Sequence, residues 1–266
     1  MAIVGFIGAG NMGYPMLRGA VKVFGTEQVI YTDASAERCE YVKQETGLNY
    51  VGDNSFVASS SKYIVLAIKP QFYSDVLLDI KKYVNDNHII ISIAPGITTD
   101  DVKKELGTFV RVVRAMPNTP AMVGEGMSGV CYSKDSFTEE EKKIIDTLFS
   151  SFGKYEVFDE SLMNAVVCAN GSSPAYVYLF IEALADSVVK YGIPRDKAYS
   201  LAAQTVLGAA KMVLETKEHP GKLKDQVCSP GGTTIAAVSA LEEHGFRNAV
   251  MKATDACYAK ASSFQK

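Results

Sequence analysis

Up to about Asp159, apolar side chains fall in short, nearly unbroken runs separated by polar, helix-compatible stretches. Ile3–Ile7, Gln28–Thr32, Tyr63–Ile68, His88–Ile93, Phe109–Arg114, Ser128–Ser133 and Tyr155–Phe158 each read as a strand. Runs such as "IVLAI" and "HIIISI" lack polar alternation, as do strands buried on both faces of a parallel sheet. Between them the spacing predicts helices near 12–24, 35–46, 71–84, 99–106 and 138–150. The last opens on Thr138-Glu139-Glu140-Glu141, a capping-box pattern. Regular strand–helix alternation predicts a doubly wound α/β domain.

After Asp159 the period changes. "YVYLFIEALADSVVKYG" and "AYSLAAQTVLGAAKMVLETK" repeat at helical spacing, and Gly192-Ile193-Pro194 ends one helix and starts the next. "TTIAAVSALEEHG" and "FRNAVMKATDACYAKASS" predict two more helices. With no strand pattern and no Gly/Ser linker, the chain divides into an α/β domain over residues 1–159 and an all-α domain over 160–266. The helices are apolar over wide faces, which points to a dimer packed through them; a well-packed monomeric bundle is the alternative.

Composition narrows the partners. The 266 residues carry a net charge of −3 with no Lys/Arg run, which disfavours nucleic acid and anionic membrane. No apolar run approaches a membrane-spanning length. The five cysteines (Cys39, Cys131, Cys168, Cys228 and Cys257) are dispersed, with no C-x-x-C, and predict reduced thiols in a cytoplasmic protein without a metal site. "MAIVGFIGAG" lacks a charged leader and reads as a first strand.

That strand runs into Gly8-Ala9-Gly10-Asn11-Met12-Gly13, a G-x-G-x-x-G at the head of the first predicted helix. Gly8 permits a tight turn, Gly10 lets backbone approach a pyrophosphate, and Gly13 lets helix pack on strand. The context predicts a Rossmann-type dinucleotide site rather than an ordinary strand–helix turn. Asp33, at the end of the second strand, suits the adenosine ribose hydroxyls and leans the choice toward NADH, while Ser35 and Arg38 are available to a 2′-phosphate. Ala67-Ile68-Lys69-Pro70 and Ile93-Ala94-Pro95 follow later strands, where ligands of such sheets lie.

A second permissive turn comes late in the chain, at Pro230-Gly231-Gly232-Thr233-Thr234. A helix head offers free N–H groups and the positive end of the dipole, which suits a small carboxylate. An ordinary N-cap explains the same residues equally well.

The stretch His219–Glu242, "HPGKLKDQVCSPGGTTIAAVSALE", resembles the signature region of pyrroline-5-carboxylate reductases, the last enzymes of proline biosynthesis. The likeness extends through "GFIGAGNMG", "AIKPQ", "MPNTPA", "GSSPAYVY" and "AAQTVLGAAKMV", in order along nearly the whole chain. It implies reduction of 1-pyrroline-5-carboxylate to L-proline with NADPH or NADH, by a homodimer joined through the helical domain. By that likeness Ile7, Gly8, Ala9, Gly10, Asn11 and Met12 hold the pyrophosphate. Ser35 and Asn54 lie near the adenosine half, where the position of Asp33 already pointed. Ala67, Ile68, Lys69, Pro70, Ile93, Ala94 and Pro95 line the ribose and nicotinamide, with Asn118 of "MPNTP" in the nicotinamide pocket. Glu160, Gln226, Gly232, Thr233 and Thr234 surround the substrate, and Thr234 is the catalytic candidate, its hydroxyl facing the imine nitrogen. Two departures stand out. Asp33-Ala34-Ser35 replaces the Asn-Arg-Ser/Thr frequent in such reductases, and Ser173 replaces a glycine in Ser-Gly-Ser-Gly-Pro-Ala.

The other readings are another imine or hydroxyacid oxidoreductase of related two-domain architecture and a non-catalytic NAD(P)-binding sensor. A hydroxyacid dehydrogenase of related architecture needs a lysine on the first helix of the second domain, and none occurs between Tyr155 and Val189. A non-catalytic NAD(P)-binding sensor has no need of the glycine-rich head at 231–234. His88, His219 and His244 read as structural.

Overall fold

The computed structural model describes residues 2–264. Its strands are β1 (Ala2–Ile7), β2 (Val29–Thr32), β3 (Ser61–Leu66), β4 (Ile89–Ser92), β5 (Arg111–Met116), β6 (Gly126–Tyr132) and β7 (Gly153–Val157). They form a seven-stranded sheet in the order β2-β1-β3-β4-β5-β6-β7. β1 pairs in parallel with both β2 and β3, with Ile7 level with Thr32 on one side and Leu66 on the other. The chain winds outward from β1 to β2, then returns past β1 to β3, so the switch point lies between β1 and β3.

Two apolar layers cover this sheet. α1 (Gly13–Phe24), α2 (Ala36–Thr46) and α6 (Glu139–Ser150) pack on the face formed by Val4, Phe6, Tyr63, Val65, Ile89 and Ile91. α3 (Asn54–Ser60), α4 (Tyr73–Ile80) and α5 (Thr99–Leu106) cover Ile7, Ile64, Leu66, Ile90 and Val112. Strand neighbours alternate between the two clusters, as the period of two requires. The unbroken hydrophobicity of β3 and β4 follows from burial on both sides.

One expectation is corrected. β6 runs antiparallel to β5, with Arg114 opposite Cys131. The link between them is short and holds only the 3₁₀ turn Thr119–Val123, too little for a crossover helix. β7 returns parallel to β6 through α6. The expected strands also sit up to two residues out of place, and α3 has no counterpart in the sequence pattern.

By compactness the described chain falls into two units. One runs to Ser172 and takes in the chain again from Cys257; the other is Ser173–Ala256. The first thus extends beyond 159, through α7 (Met163–Val166) and a π-helical stretch, Val167–Gly171. The second holds α8 (Ser173–Val189), α9 (Arg195–Thr216), α10 (Pro220–Val227), α11 (Thr233–Glu243) and the first part of α12 (Phe246–Ser262). Its buried cluster is small: Ala185, Ala198 and Ala202, where α8 meets α9. No helix of the described residues is long and apolar enough to cross a membrane.

Candidate active site

The glycine loop occupies the switch point. Gly8 has φ +95°, and a Cβ there would lie 2.5 Å from the Ala67 carbonyl oxygen at the end of β3. A Cβ at Gly13 would come within 2.3 Å of the Gly8 carbonyl oxygen. Gly10 differs: nothing lies within 4 Å of its Cβ position, so the loop is open there. That combination fits a dinucleotide pyrophosphate. Two glycines are demanded by the protein's own backbone and the third leaves room for a ligand. Met12, the N-cap of α1, supplies no side-chain cap, so the helix head faces that room uncapped.

Asp33 serves the loop directly. One carboxylate oxygen accepts the Ala9 N–H at 2.7 Å and the other the Ser35 N–H at 2.9 Å. Ser35 in turn caps α2 by accepting from the Arg38 N–H. The Arg38 side chain folds back over the loop, with Nε donating to the Ala9 carbonyl at 2.5 Å. Its guanidinium lies 4.9 Å and 4.8 Å from the ring centroids of Tyr14 and Tyr41. This side of the loop therefore presents a cation beside a carboxylate whose two oxygens already hold backbone. Asn54, at the start of α3, donates to Asp79.

Ala67, Ile68, Ile93 and Ala94 follow the carboxyl ends of β3 and β4, with the Ala67 N–H bonded to Ile7. Lys69 and Pro70 are exposed in the turn before α4. Asn118 is buried and used by the scaffold: its Oδ1 accepts from Met127 N at 2.8 Å and its Nδ2 donates to the Asn170 carbonyl at 3.0 Å. Asn170, in the π-helical stretch, donates to the carbonyls of Met116 and Met127. Asn170 and this network were invisible in the sequence. The partners lie 43 to 54 positions apart, and π-helical geometry has no hydrophobic period to announce it.

Glu160 accepts three hydrogen bonds. Oε1 takes the Thr99 N–H at 2.8 Å and Arg114 Nη1 at 3.2 Å; Oε2 takes the Thr99 hydroxyl at 2.6 Å. Its side chain remains 31% exposed.

In the helical unit, Gly231 has φ +68° and so favours glycine. A Cβ at Gly232 would crowd the rotatable Ser229 hydroxyl and lie 3.1 Å from the Ser229 carbonyl oxygen, so the turn disfavours a side chain here. Gly232 is also the N-cap of α11, and no side chain caps it. Thr234 is half-buried in the first turn, while Thr233 and Gln226 are exposed. Other helices contrast: α5 and α6 close their heads with capping boxes, and His219 Nδ1 caps α10 by accepting the Gly221 N–H. Among the described residues no group of three or more His, Cys, Asp or Glu is placed to hold a metal ion.

An open glycine loop at the switch point of such a sheet, followed by an all-helical unit, is the construction of a dinucleotide-binding protein of two parts. Residues 160–264 match the family model for pyrroline-5-carboxylate reductase dimerisation, and residues 3–96 the model for NADP oxidoreductase, coenzyme F420-dependent. The chain is 44% identical to the pyrroline-5-carboxylate reductase of Escherichia coli (strain K12), over 99% of this chain and 98% of that one. Its fold is shared by the pyrroline-5-carboxylate reductase of Coxiella burnetii, with TM-score 0.92, 32% identity, and 100% and 99% of the two chains covered. It is shared too by Plasmodium falciparum pyrroline carboxylate reductase with NADP bound, with TM-score 0.88, 33% identity, and 100% and 98% covered. The chain belongs to the pyrroline-5-carboxylate reductase family.

Proposed function

We propose that the protein reduces 1-pyrroline-5-carboxylate to L-proline with NADPH or NADH, the last step of proline biosynthesis. What carries the reading is full-length identity of 44% to a reductase of that name. The open head of α11 agrees with it.

The reduced nicotinamide supplies the hydride when bound. In the sheet unit, Ile7–Met12 hold the pyrophosphate, Asp33, Ser35 and Asn54 the adenosine half, and Ala67–Pro70 with Ile93–Pro95 the ribose and nicotinamide. In the helical unit, the N–H groups of Thr233 and Thr234 bind the substrate carboxylate at the positive end of α11, while the Gly232 N–H, expected to join them, is held by the Ser229 carbonyl at 3.0 Å. The Thr234 hydroxyl bonds the ring nitrogen. Protonation of that nitrogen makes the imine carbon electrophilic, so the main requirement left is placement. Gln226 and Glu160 border the substrate, and solvent or the protonated imine provides the proton. Arg38 and Ser35 receive a 2′-phosphate, so both cofactors are used.

Assembly is as a homodimer through the helical unit, which leaves large apolar side chains uncovered in one chain. A groove of about 900 Å³ is lined there by Leu179, Phe180, Tyr191, Leu241, Phe246 and Val250. The cytoplasm is the assigned compartment, in keeping with five dispersed cysteines and no C-x-x-C pair.

The test follows NADPH and NADH oxidation with 1-pyrroline-5-carboxylate and with a 3-oxo acid. Turnover of the pyrroline alone is expected. Tight cofactor binding with no turnover of either overturns the reading in favour of a sensor, and turnover of the oxo acid in favour of a dehydrogenase.

A further inference from the structure

Arg114 is completely buried in β5, yet Nε and Nη2 have no hydrogen-bond partner among the described residues. Nη1 reaches Glu160 Oε1 at 3.2 Å. A guanidinium carries five N–H donors, and unpaired buried donors are costly. The packing does not call for a charge here. Val112 lies two positions away in the same strand, the neutral Ser92 directly across on β4 and Cys131 directly across on β6, and burial pushes the Cys131 thiol up to about 11. An apolar side chain of similar length would fill such a place, and replacing buried ionic groups by apolar ones is commonly neutral or stabilising.

What the arginine does hold is Glu160, and through it the loop after β4. Thr99, whose N–H and hydroxyl both bond Glu160, is the first residue of α5. The residues before it, Ile93 to Thr98, form the loop assigned to the nicotinamide. The same loop is pressed at Gly96 by Phe264, whose Cβ would lie 2.7 Å from an added Cβ. Arg114 also stands two positions before Met116, where β5 gives way to the "MPNTP" loop.

We infer that Arg114 is a positioning residue. Through Glu160 and Thr99 it clamps the β4–α5 loop, and so sets the nicotinamide for hydride transfer. The inference rests on the reductase reading for the identity of the ligand, and its first readout does not depend on turnover.

The experiment compares the parent with Arg114→Met and Arg114→Lys. The readouts are Tm, NADPH affinity, emission of the bound nicotinamide, and kcat and KM with the pyrroline substrate. Arg114→Met removes the buried charge and leaves Glu160 bonded to Thr99 and partly exposed, so Tm stays level or rises. NADPH affinity stays within about threefold, because the adenosine and pyrophosphate contacts are untouched. The bound nicotinamide loses its emission enhancement, and kcat falls about 10- to 100-fold, as for a misplacement near 1 Å. Arg114→Lys keeps a cation for Glu160 and restores much of both signals. Arg114→Met with parental emission and kcat overturns the inference. So does an Arg114→Met protein that fails to fold, since the arginine would then be a structural requirement. If the parent binds NADPH but does not reduce the pyrroline, the reductase reading fails, and emission still decides the clamp.

Discussion

The sheet unit and the helical unit are both rich in apolar residues, but they spend them differently. In β3, Ser61 and Tyr63 to Leu66 are all buried, and β4 is buried throughout. In α8, 17 residues long, only Ala185 is buried, while Leu179 is 66% exposed. A sheet flanked by helices on both faces closes its core within one chain. A helix hairpin whose buried contact is three alanines does not, and it leaves large apolar side chains uncovered. The cofactor loop belongs to the self-sufficient unit and the open head of α11 to the incomplete one.

The largest expected effect separates these two kinds of burial. Leu66→Ala should cost about 2–5 kcal/mol at every protein concentration, because the cavity lies inside one chain. Leu179→Glu should cost about 2–4 kcal/mol of association, and its Tm should recover as concentration rises. Sedimentation and melting over a range of concentrations read both. A Leu179→Glu protein that stays dimeric would mean that the exposed face of α8 is not the interface.

Within the sheet unit, two glycines of one motif should behave oppositely. Gly13→Ala drives a Cβ against the Gly8 carbonyl, and overpacking of this kind costs about 1–3 kcal/mol. Gly10→Ala meets nothing in the protein, so Tm should hold while NADPH affinity falls at least about tenfold. Calorimetry and NADPH titration distinguish fold from ligand at two positions three residues apart.

Acid should weaken the sheet unit at the end away from the site. Burial tends to raise the Glu141 carboxyl, but hydrogen bonds from Arg111 and Lys62, with the Thr138 N–H, outweigh it and hold it at about 2 against an ordinary 4.5. The folded value is depressed, so this stabilisation is complete above 4.5 and is lost as pH falls toward 2. Tm measured against pH should fall through that window, and more gently in Glu141→Gln. A variant with the parental slope would remove Glu141 as the cause.

The smallest effect concerns cofactor choice. Arg38→Gln should weaken NADPH binding about tenfold, the worth of one charge-assisted contact, and leave NADH affinity nearly unchanged. Equal loss for both cofactors would make Arg38 a loop support only.

The sequence reveals these features unevenly, for physical reasons. Strands and their order of burial are legible because burial on both faces leaves unbroken apolar runs. The glycine loop is legible because backbone geometry fixes its spacing. β6 reverses direction because its link to β5 is short, a feature visible in the spacing between the two apolar runs yet overridden by the parallel pattern before it. α3, "NSFVASS", is too short to show a period. Arg114 and Glu160 stand 46 positions apart, and nothing local marks them as partners. At the head of α11 the glycines read as access for a ligand. In the structure Gly231 answers a left-handed turn, and Gly232 is close to Ser229 and donates its N–H to the Ser229 carbonyl, so what the glycines offer a ligand is narrower than their number suggests.

The division of labour between the units is tested most directly by Thr234→Val, assayed for kcat/KM with the pyrroline substrate alongside NADPH affinity. A hydrogen bond between the Thr234 hydroxyl and the reacting nitrogen in a dry site is worth on the order of 3 kcal/mol, so kcat/KM should fall about 10²- to 10³-fold while cofactor affinity and Tm stay at parental values. Near-parental kcat/KM in that variant would contradict the account.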